Sequence, residues 1–215
     1  MNTGQNGFKD VVGIGNAMVD ILASADEAFL AEHGLSKGGM TLVDASKAAG
    51  IHEAMGPGVE MSGGSVGNTM AALASLGGTG SYIGKVRDDQ LGGTFHNDLE
   101  SLGISFSTTP ALDSSPTAHC LVIVTPDGQR SMATYLGACV ELGPEDIDAD
   151  TIQSHRVTYL EGYLWDAPRA KEAMIKAAHL AHDAGCQVAL SLSDPFCVNR
   201  HRESFLVFVK QHVDI

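Results

Sequence analysis

The chain has 215 residues, a formal net charge of −13 at pH 7 and 44% hydrophobic residues. This length suits one α/β domain with a sizeable core, and so acidic a surface repels nucleic acid. No apolar run is long enough to span a bilayer, and residues 1–9 lack the apolar segment of a signal peptide, so we expect a cytoplasmic protein that does not bind membranes.

The first half of the chain alternates short β-prone runs with segments of helical periodicity. The most regular helix is predicted from Ser65 to Gly77, on the spacing of Val66, Met70, Leu73 and Leu76. Other helices of this half are predicted at 26–33, 45–55 and 90–102, and strands at 10–14, 18–23, 40–43, 81–84 and 105–109.

The second half opens with a hairpin signal, because Asp127-Gly128 separates two β-prone runs, 117–124 and 131–135. Further strands are predicted at 157–161 and 187–192, with another beginning at Val213, and helices at 168–184 and 203–211.

Strands that alternate with helices of ten or more residues predict an α/β fold with a doubly wound, mostly parallel sheet. The hairpin and the early β-prone pieces do not fit this alternation. We expect them to form a small antiparallel β lid on a single domain, with segments near 16–24, 40–43, 59–62 and 117–135.

Two polar residues, Asn16 and Asp20, interrupt the apolar stretch that follows the first strand. Across a β-type turn they can point into one cleft, where a carboxylate suits a vicinal diol; a turn-capping role for Asp20 is the alternative. The preceding Gly13-Ile14-Gly15 does not open a dinucleotide-binding motif, because Met18 occupies the sixth position and no helix follows. A dinucleotide-dependent oxidoreductase is therefore disfavoured.

The most specific pattern is Gly63-Gly64-Ser65-x-x-Asn68. The glycines let backbone N–H groups face a ligand, and Ser65 lies at a helix N-terminus, which favours oxygen-rich or anionic groups. Asn68 falls one turn further on the same face. A plain Gly-Gly loop with a serine cap is the alternative interpretation.

Arg130 follows the Asp127-Gly128 turn, where its guanidinium can clamp phosphate oxygens; an ordinary surface arginine is the alternative. Tyr163 and Trp165 follow a strand end, where aromatic rings can stack on a base or sugar, or pack in the core. The four cysteines form no C-x-x-C pair and the nine histidines show no metal-binding spacing, so no metal site is predicted.

Taken in order, these segments resemble the ribokinase-like (PfkB) family of sugar and nucleoside kinases. "VVGIGNAMVDI" is similar to its opening strand, "SGGSVGNTMAALASLG" to its di-glycine signature, and residues 84–95 to its G-x-[DV]-x-x-G-x-x-[ILMV] block. The adenosine kinase branch offers the nearest likeness to "PTAHCLVIVTPDGQRSMATYLGAC", its lid hairpin, and to "YLEGYLW" and "VALSLSDPF". The resemblance extends from about residue 11 to residue 215.

The resemblance implies roles for individual residues. Arg130 would steady the phosphoryl group in catalysis, and Ser191 stands near the nucleotide, where the family has an asparagine. The remaining implied roles concern the phosphate acceptor: Asn16 and Asp20 for ribose hydroxyls, Gly63, Gly64, Ser65 and Asn68 for the sugar pocket, and Met40, Leu42, Met132 and Tyr163 for the base.

The implied activity is ATP-dependent, Mg²⁺-assisted phosphorylation of a nucleoside or sugar hydroxyl, with adenosine favoured over ribose, another nucleoside or a ketose. The resemblance also implies an N-x-x-E magnesium motif and a G-A-G-D motif that supplies the catalytic base and anion hole; neither occurs in the 215 residues. We therefore expect the acceptor site without the residues for phosphoryl transfer. The rival hypothesis is a non-catalytic nucleoside- or sugar-binding remnant.

Overall fold

The main sheet consists of five parallel strands in the computed structural model, which describes residues 7–215. Residues 1–6, which carry part of the signal-peptide prediction, lie outside the described residues. The strands are β1 (Lys9–Ile14), β5 (Gly80–Ile83), β6 (Ile104–Phe106), β9 (His155–Glu161) and β10 (Gln187–Ser191). Their spatial order is β10-β9-β1-β5-β6, so β1 lies at the centre.

A second five-stranded sheet is built from the four segments expected to form a lid. Its strands are β2 (Met18–Ser24), β3 (Met40–Leu42), β4 (Val59–Ser62), β7 (Ala118–Val124) and β8 (Arg130–Tyr135), in the order β3-β8-β7-β2-β4. The hairpin predicted at Asp127-Gly128 joins β7 to β8, and Gly128 has the left-handed φ of 80° that its turn requires. The expectation of a purely antiparallel sheet was wrong, because β2 with β7 and β3 with β8 pair in parallel.

The helices follow the predicted alternation closely. They are α1 (Glu27–Glu32), α2 (Ala45–Met55), α3 (Ser65–Ser75), α4 (Gln90–Ser101), α5 (Ala149–Gln153), α6 (Pro168–Asp183) and α7 (Pro195–His212). Aspartate side chains that accept backbone N–H groups cap α1, α2, α4, α5 and α7. Each cap satisfies a helix donor that has no partner within its own helix.

Two hydrophobic cores lie on opposite sides of the main sheet. One contains Val12, Ile14 and Leu160 of the sheet together with residues of α5, α6 and α7. The other joins Tyr82, Val66 of α3 and residues of α4 to the second sheet. Helices therefore cover both faces of the parallel sheet, as a doubly wound fold requires.

Some predicted boundaries were wrong. Helix α3 ends at Ser75, and Leu76 is 88% exposed instead of continuing the apolar stripe. Helix α7 begins at Pro195 and not at 203, because Asp194 caps it and proline suits a first helical turn. Among the described residues, no helix combines the length and apolarity needed to cross a membrane.

Candidate functional site

The candidate site lies where the chain leaves the C-terminal end of β1 and enters β2. The Asp20 carboxylate on β2 rests directly against Gly63: a Cβ added to Gly63 would come within 2.3–2.6 Å of its carboxyl atoms. The Gly63 N–H donates to the Met18 carbonyl at 2.9 Å, which fixes the di-glycine segment beside β2. Only glycine leaves room for this approach.

Gly64 brings the start of α3 onto the same segment. Its φ of 81° is left-handed, and a Cβ on it would lie 2.7 Å from the Asn16 carbonyl oxygen. Gly64, and not Ser65, is the N-cap of α3, and no side chain caps this helix. The N-terminus of α3 therefore opens beside Asn16 and Asp20, where unpaired helix N–H groups favour a ligand oxygen.

Burial shapes the electrostatics of Asp20. Desolvation raises the pKa of its carboxyl group, and the positive charge of Arg130 partly offsets this rise. Arg130 is the first residue of β8, and its side chain is exposed. The arginine expected to hold phosphate therefore lies close enough to the Asp20 carboxylate to influence its charge.

Asp20 belongs to an otherwise largely apolar surface of the second sheet, which we call the open face. Cross-strand pairing aligns Asp20 with Cys120 and Met61, and aligns Met40 with Met132. Because paired residues point to the same side of a sheet, these side chains share one face. The exposed apolar members of the open face are Met40, Leu42, Val59 and Met61.

Two residues of the di-glycine pattern lie further out. The Ser65 and Asn68 side chains are exposed on the first turns of α3 and make no hydrogen bond within the part of the chain that the structure describes. The Ser65 carbonyl instead accepts a hydrogen bond from the Thr69 hydroxyl at 2.9 Å. Both side chains are thus available to a ligand at the end of α3 that faces Asp20.

The aromatic candidates differ in their surroundings. Trp165 is a core residue, because Phe205 and Phe208 pack against its ring and its Nε1 donates to Ser204 Oγ at 2.8 Å; its suggested stacking on a ligand was wrong. Tyr163 is half-buried, and its hydroxyl donates to Asp194 Oδ2 at 3.1 Å. Burial and this contact raise the pKa of Tyr163 to about 12.

Ser191 ends β10 at the C-terminal edge of the main sheet. Its Oγ accepts the Ser193 N–H at 3.2 Å, and its carbonyl lies so close to Gly162 that a Cβ there would approach to 2.6 Å. Ser191 thus lies beside the loop that carries Tyr163, at the edge where α/β sheets bind ligands.

Sequence reasoning missed Glu161, the last residue of β9. Glu161 is only 1% exposed, and its Oε1 accepts Asn16 Nδ2 at 2.8 Å while its Oε2 accepts the Val66 N–H at 3.2 Å. Burial raises the pKa of Glu161 to about 7, against hydrogen bonds from Asn16 and Val66 that lower it. A carboxylate that ends an apolar strand was the available signal, since a buried charge needs partners.

The residues that the structure describes contain no group of three or more His, Cys, Asp or Glu side chains placed to hold a metal ion. These residues therefore do not form a Mg²⁺ site by themselves, and the chemistry of the candidate site is that of hydroxyl recognition.

A parallel α/β sheet with a second sheet over a carboxylate and a di-glycine helix start defines a kinase-like architecture. Residues 40–215 match the pfkB family of carbohydrate kinases, and the chain belongs to that family. This match confirms the family predicted from the sequence motifs, and the solved structures below confirm the fold class.

The chain is similar to several kinases. Adenosine kinase from Sinorhizobium meliloti is 53% identical with a TM-score of 0.89, and the match covers 96% of this chain and 63% of that chain. A probable sugar kinase from Rhizobium etli CFN 42 is 48% identical with a TM-score of 0.90, covering 97% and 64%. Guanosine-inosine kinase from Escherichia coli (strain K12) is 26% identical over 216 residues, covering 95% and 50%. The chain thus spans about half the length of the curated relatives it matches.

Proposed function

We propose that this chain carries the acceptor-binding part of an ATP-dependent nucleoside kinase, with adenosine as the favoured acceptor. The observation that carries the proposal is the Asp20 carboxylate, held against Gly63 beside the start of α3 and bordered by the apolar open face. A site of this kind matches a molecule with hydroxyl groups at one end and a flat apolar ring system at the other.

The polar end of the site would bind the ribose. An ionised carboxylate accepts hydrogen bonds from two hydroxyls, so Asp20 suits the vicinal diol of a nucleoside. The Asn16 amide and the free N–H groups at the start of α3 add further partners within the same cleft. Ser65 and Asn68 would contact the sugar from the first turns of α3.

The apolar end of the site would bind the base. Met40 and Met132 pair across β3 and β8 on the same face as Asp20, and Leu42 is exposed beside them. Methionine side chains adapt their shape to a planar ring. Ribose has no base to cover these side chains, and we therefore favour a nucleoside over a free sugar. Tyr163 would stack from the side of the main sheet.

Arg130 would act on the phosphate. Its charge already influences Asp20, so a phosphoryl group approaching the ribose hydroxyl would come within the reach of the guanidinium. Ser191 would contact the nucleotide that donates the phosphate. Mg²⁺ would supply charge neutralisation for phosphoryl transfer, and the residues described here provide the acceptor side only.

Calorimetry with adenosine and with ribose tests the acceptor. We expect adenosine to bind and ribose to bind at least about tenfold more weakly, since the base contributes apolar burial. Asp20→Ala should abolish detectable adenosine binding, because it removes the only carboxylate that we assign to the diol.

Glu60→Gln is the matched control for Asp20→Ala. Glu60 lies on the neighbouring strand β4 and pairs with Ile21, so its exposed carboxylate points to the opposite side of the same sheet. The control removes one negative charge without touching the cleft and should leave the affinity unchanged. Equal affinities for wild type and Asp20→Ala would refute the assigned site.

A phosphotransfer assay on the 215-residue chain separates catalysis from binding. Because the G-A-G-D and N-x-x-E motifs do not occur in these residues, we expect adenosine binding without turnover. Robust, adenosine-dependent consumption of ATP would show that other residues of this chain supply the base and anion hole. A chain that binds no nucleoside or sugar would contradict both the kinase and the binding-only hypotheses.

A further inference from the structure

Glu161 joins two parts of the candidate site that are far apart in the sequence. Its two carboxyl oxygens accept from Asn16 Nδ2 and from the Val66 N–H in the first turn of α3, and the Asn16 backbone N–H contributes as well. A Cβ on Gly15 would lie 2.5 Å from Glu161 Oε2, so the β1–β2 connection passes directly over the carboxylate. Glu161 therefore links this connection to the N-terminus of α3.

The carboxylate determines how the Asn16 amide is oriented. An ionised carboxylate only accepts hydrogen bonds, so Asn16 must turn its NH₂ group towards Glu161 and its Oδ1 away from it. Oδ1 has no hydrogen-bond partner among residues 7–215, and it is not one of their buried unpaired polar atoms. It is therefore accessible as an acceptor.

We propose that Glu161 is a positioning residue of the acceptor site, which acts through Asn16 by directing the Oδ1 of that amide towards a substrate hydroxyl. The inference rests on the proposed function. Glu161 itself is 1% exposed and both of its oxygens are occupied by protein donors, so it has no free group to offer a ligand.

Protonation of Glu161 should weaken this arrangement. A protonated carboxyl group carries an O–H donor, which competes with the donors of Asn16 and Val66 and favours an amide turned to present Oδ1 inwards. The Asn16 NH₂ group would then face the cleft, where a hydroxyl hydrogen finds no acceptor. Because burial raises the pKa of Glu161 to about 7, the change falls near neutral pH.

Other titrating groups around Glu161 can be separated from it. Tyr82, Cys139, Tyr163 and Cys197 face its charge, and burial raises the pKa of each above its ordinary value. All four therefore stay neutral near pH 7. Asp20 titrates in the same site with a raised pKa, but its contribution is common to every variant that retains it.

Adenosine calorimetry from about pH 5.5 to about pH 8.5 tests the proposal on wild type, Glu161→Gln and Asn16→Ala. We expect wild-type affinity to rise about five- to tenfold as pH increases through neutrality, the effect of one hydrogen bond to a hydroxyl. Glu161→Gln should stay at the low-pH affinity throughout, because its amide NH₂ group turns the Asn16 amide round. Asn16→Ala should also remove the pH-dependent step.

The double variant decides whether Glu161 acts through Asn16. Combining Glu161→Gln with Asn16→Ala should weaken binding no further than Asn16→Ala alone, whereas a general structural role would add a second loss. Additive losses, or an unchanged pH-dependent step in Asn16→Ala, would overturn the inference, and the latter result does not depend on the folding of Glu161→Gln. If wild type fails to bind adenosine at any pH, the proposed function fails instead.

Discussion

The two faces of the second sheet are both largely apolar, yet only one of them is covered. On the covered face, Ile21 and Leu121 are at most 1% exposed and pack in the core with α1, α2 and α4. On the open face, Met40 is 45% exposed and Leu42 is 57% exposed. Alternation along the same strands produces both surfaces. The covered face stabilises the fold, whereas an exposed apolar surface around a carboxylate is a surface for binding.

Leu121→Ala should have the largest effect on stability, because it empties a fully buried position on the central strand β7. Removing a buried leucine side chain costs about 2–5 kcal/mol of unfolding free energy. Urea denaturation followed by circular dichroism measures this loss. If Leu121→Ala left the urea midpoint unchanged, the covered face would not be the stabilising one.

Asp89→Ala should have the next largest effect, because Asp89 attaches the covered face to the main sheet. Its carboxylate caps α4 through the Gly92 N–H and accepts the N–H and the hydroxyl of Thr117, the residue before β7. Losing a cap and two further hydrogen bonds should cost about 2–3 kcal/mol. Asp44→Ala is the matched control, since its side chain caps α2 only and should cost about 1 kcal/mol.

The contribution of Asp89 should also depend on pH. Burial raises the pKa of its carboxyl group, but the hydrogen bonds from Thr117 and Gly92 outweigh burial and the net pKa is lowered. The stabilisation is therefore complete above the unfolded value of 3.8 and is lost as pH falls through the lower folded value. Urea midpoints of wild type and Asp89→Ala should converge in strong acid; a constant difference would contradict the assigned ionic role.

Local signals in the sequence were sufficient for much of the fold and part of the site. Asp127-Gly128 specifies a turn by itself, and the di-glycine pair with Asp20 belongs to short motifs. Glu161 was missed because its partner Asn16 lies 145 positions away, and no local pattern encodes a contact of that range. The pairing of Met40 with Met132 depends likewise on sheet register, which follows from tertiary packing. Periodicity also misjudged Leu76, since it does not mark where a helix ends.

Met40→Ala should have the smallest effect on stability and the clearest effect on binding. Because Met40 is 45% exposed, its truncation should change the unfolding free energy by less than about 1 kcal/mol. It should weaken adenosine binding about threefold to tenfold while leaving ribose binding unchanged, since only the base would contact the open face. Leu206→Ala, at a 53% exposed position on α7, is the control for removing an exposed apolar side chain elsewhere. Equal losses of adenosine and ribose affinity in Met40→Ala would mean that the open face supports the cleft as a whole and does not discriminate a nucleoside from a sugar.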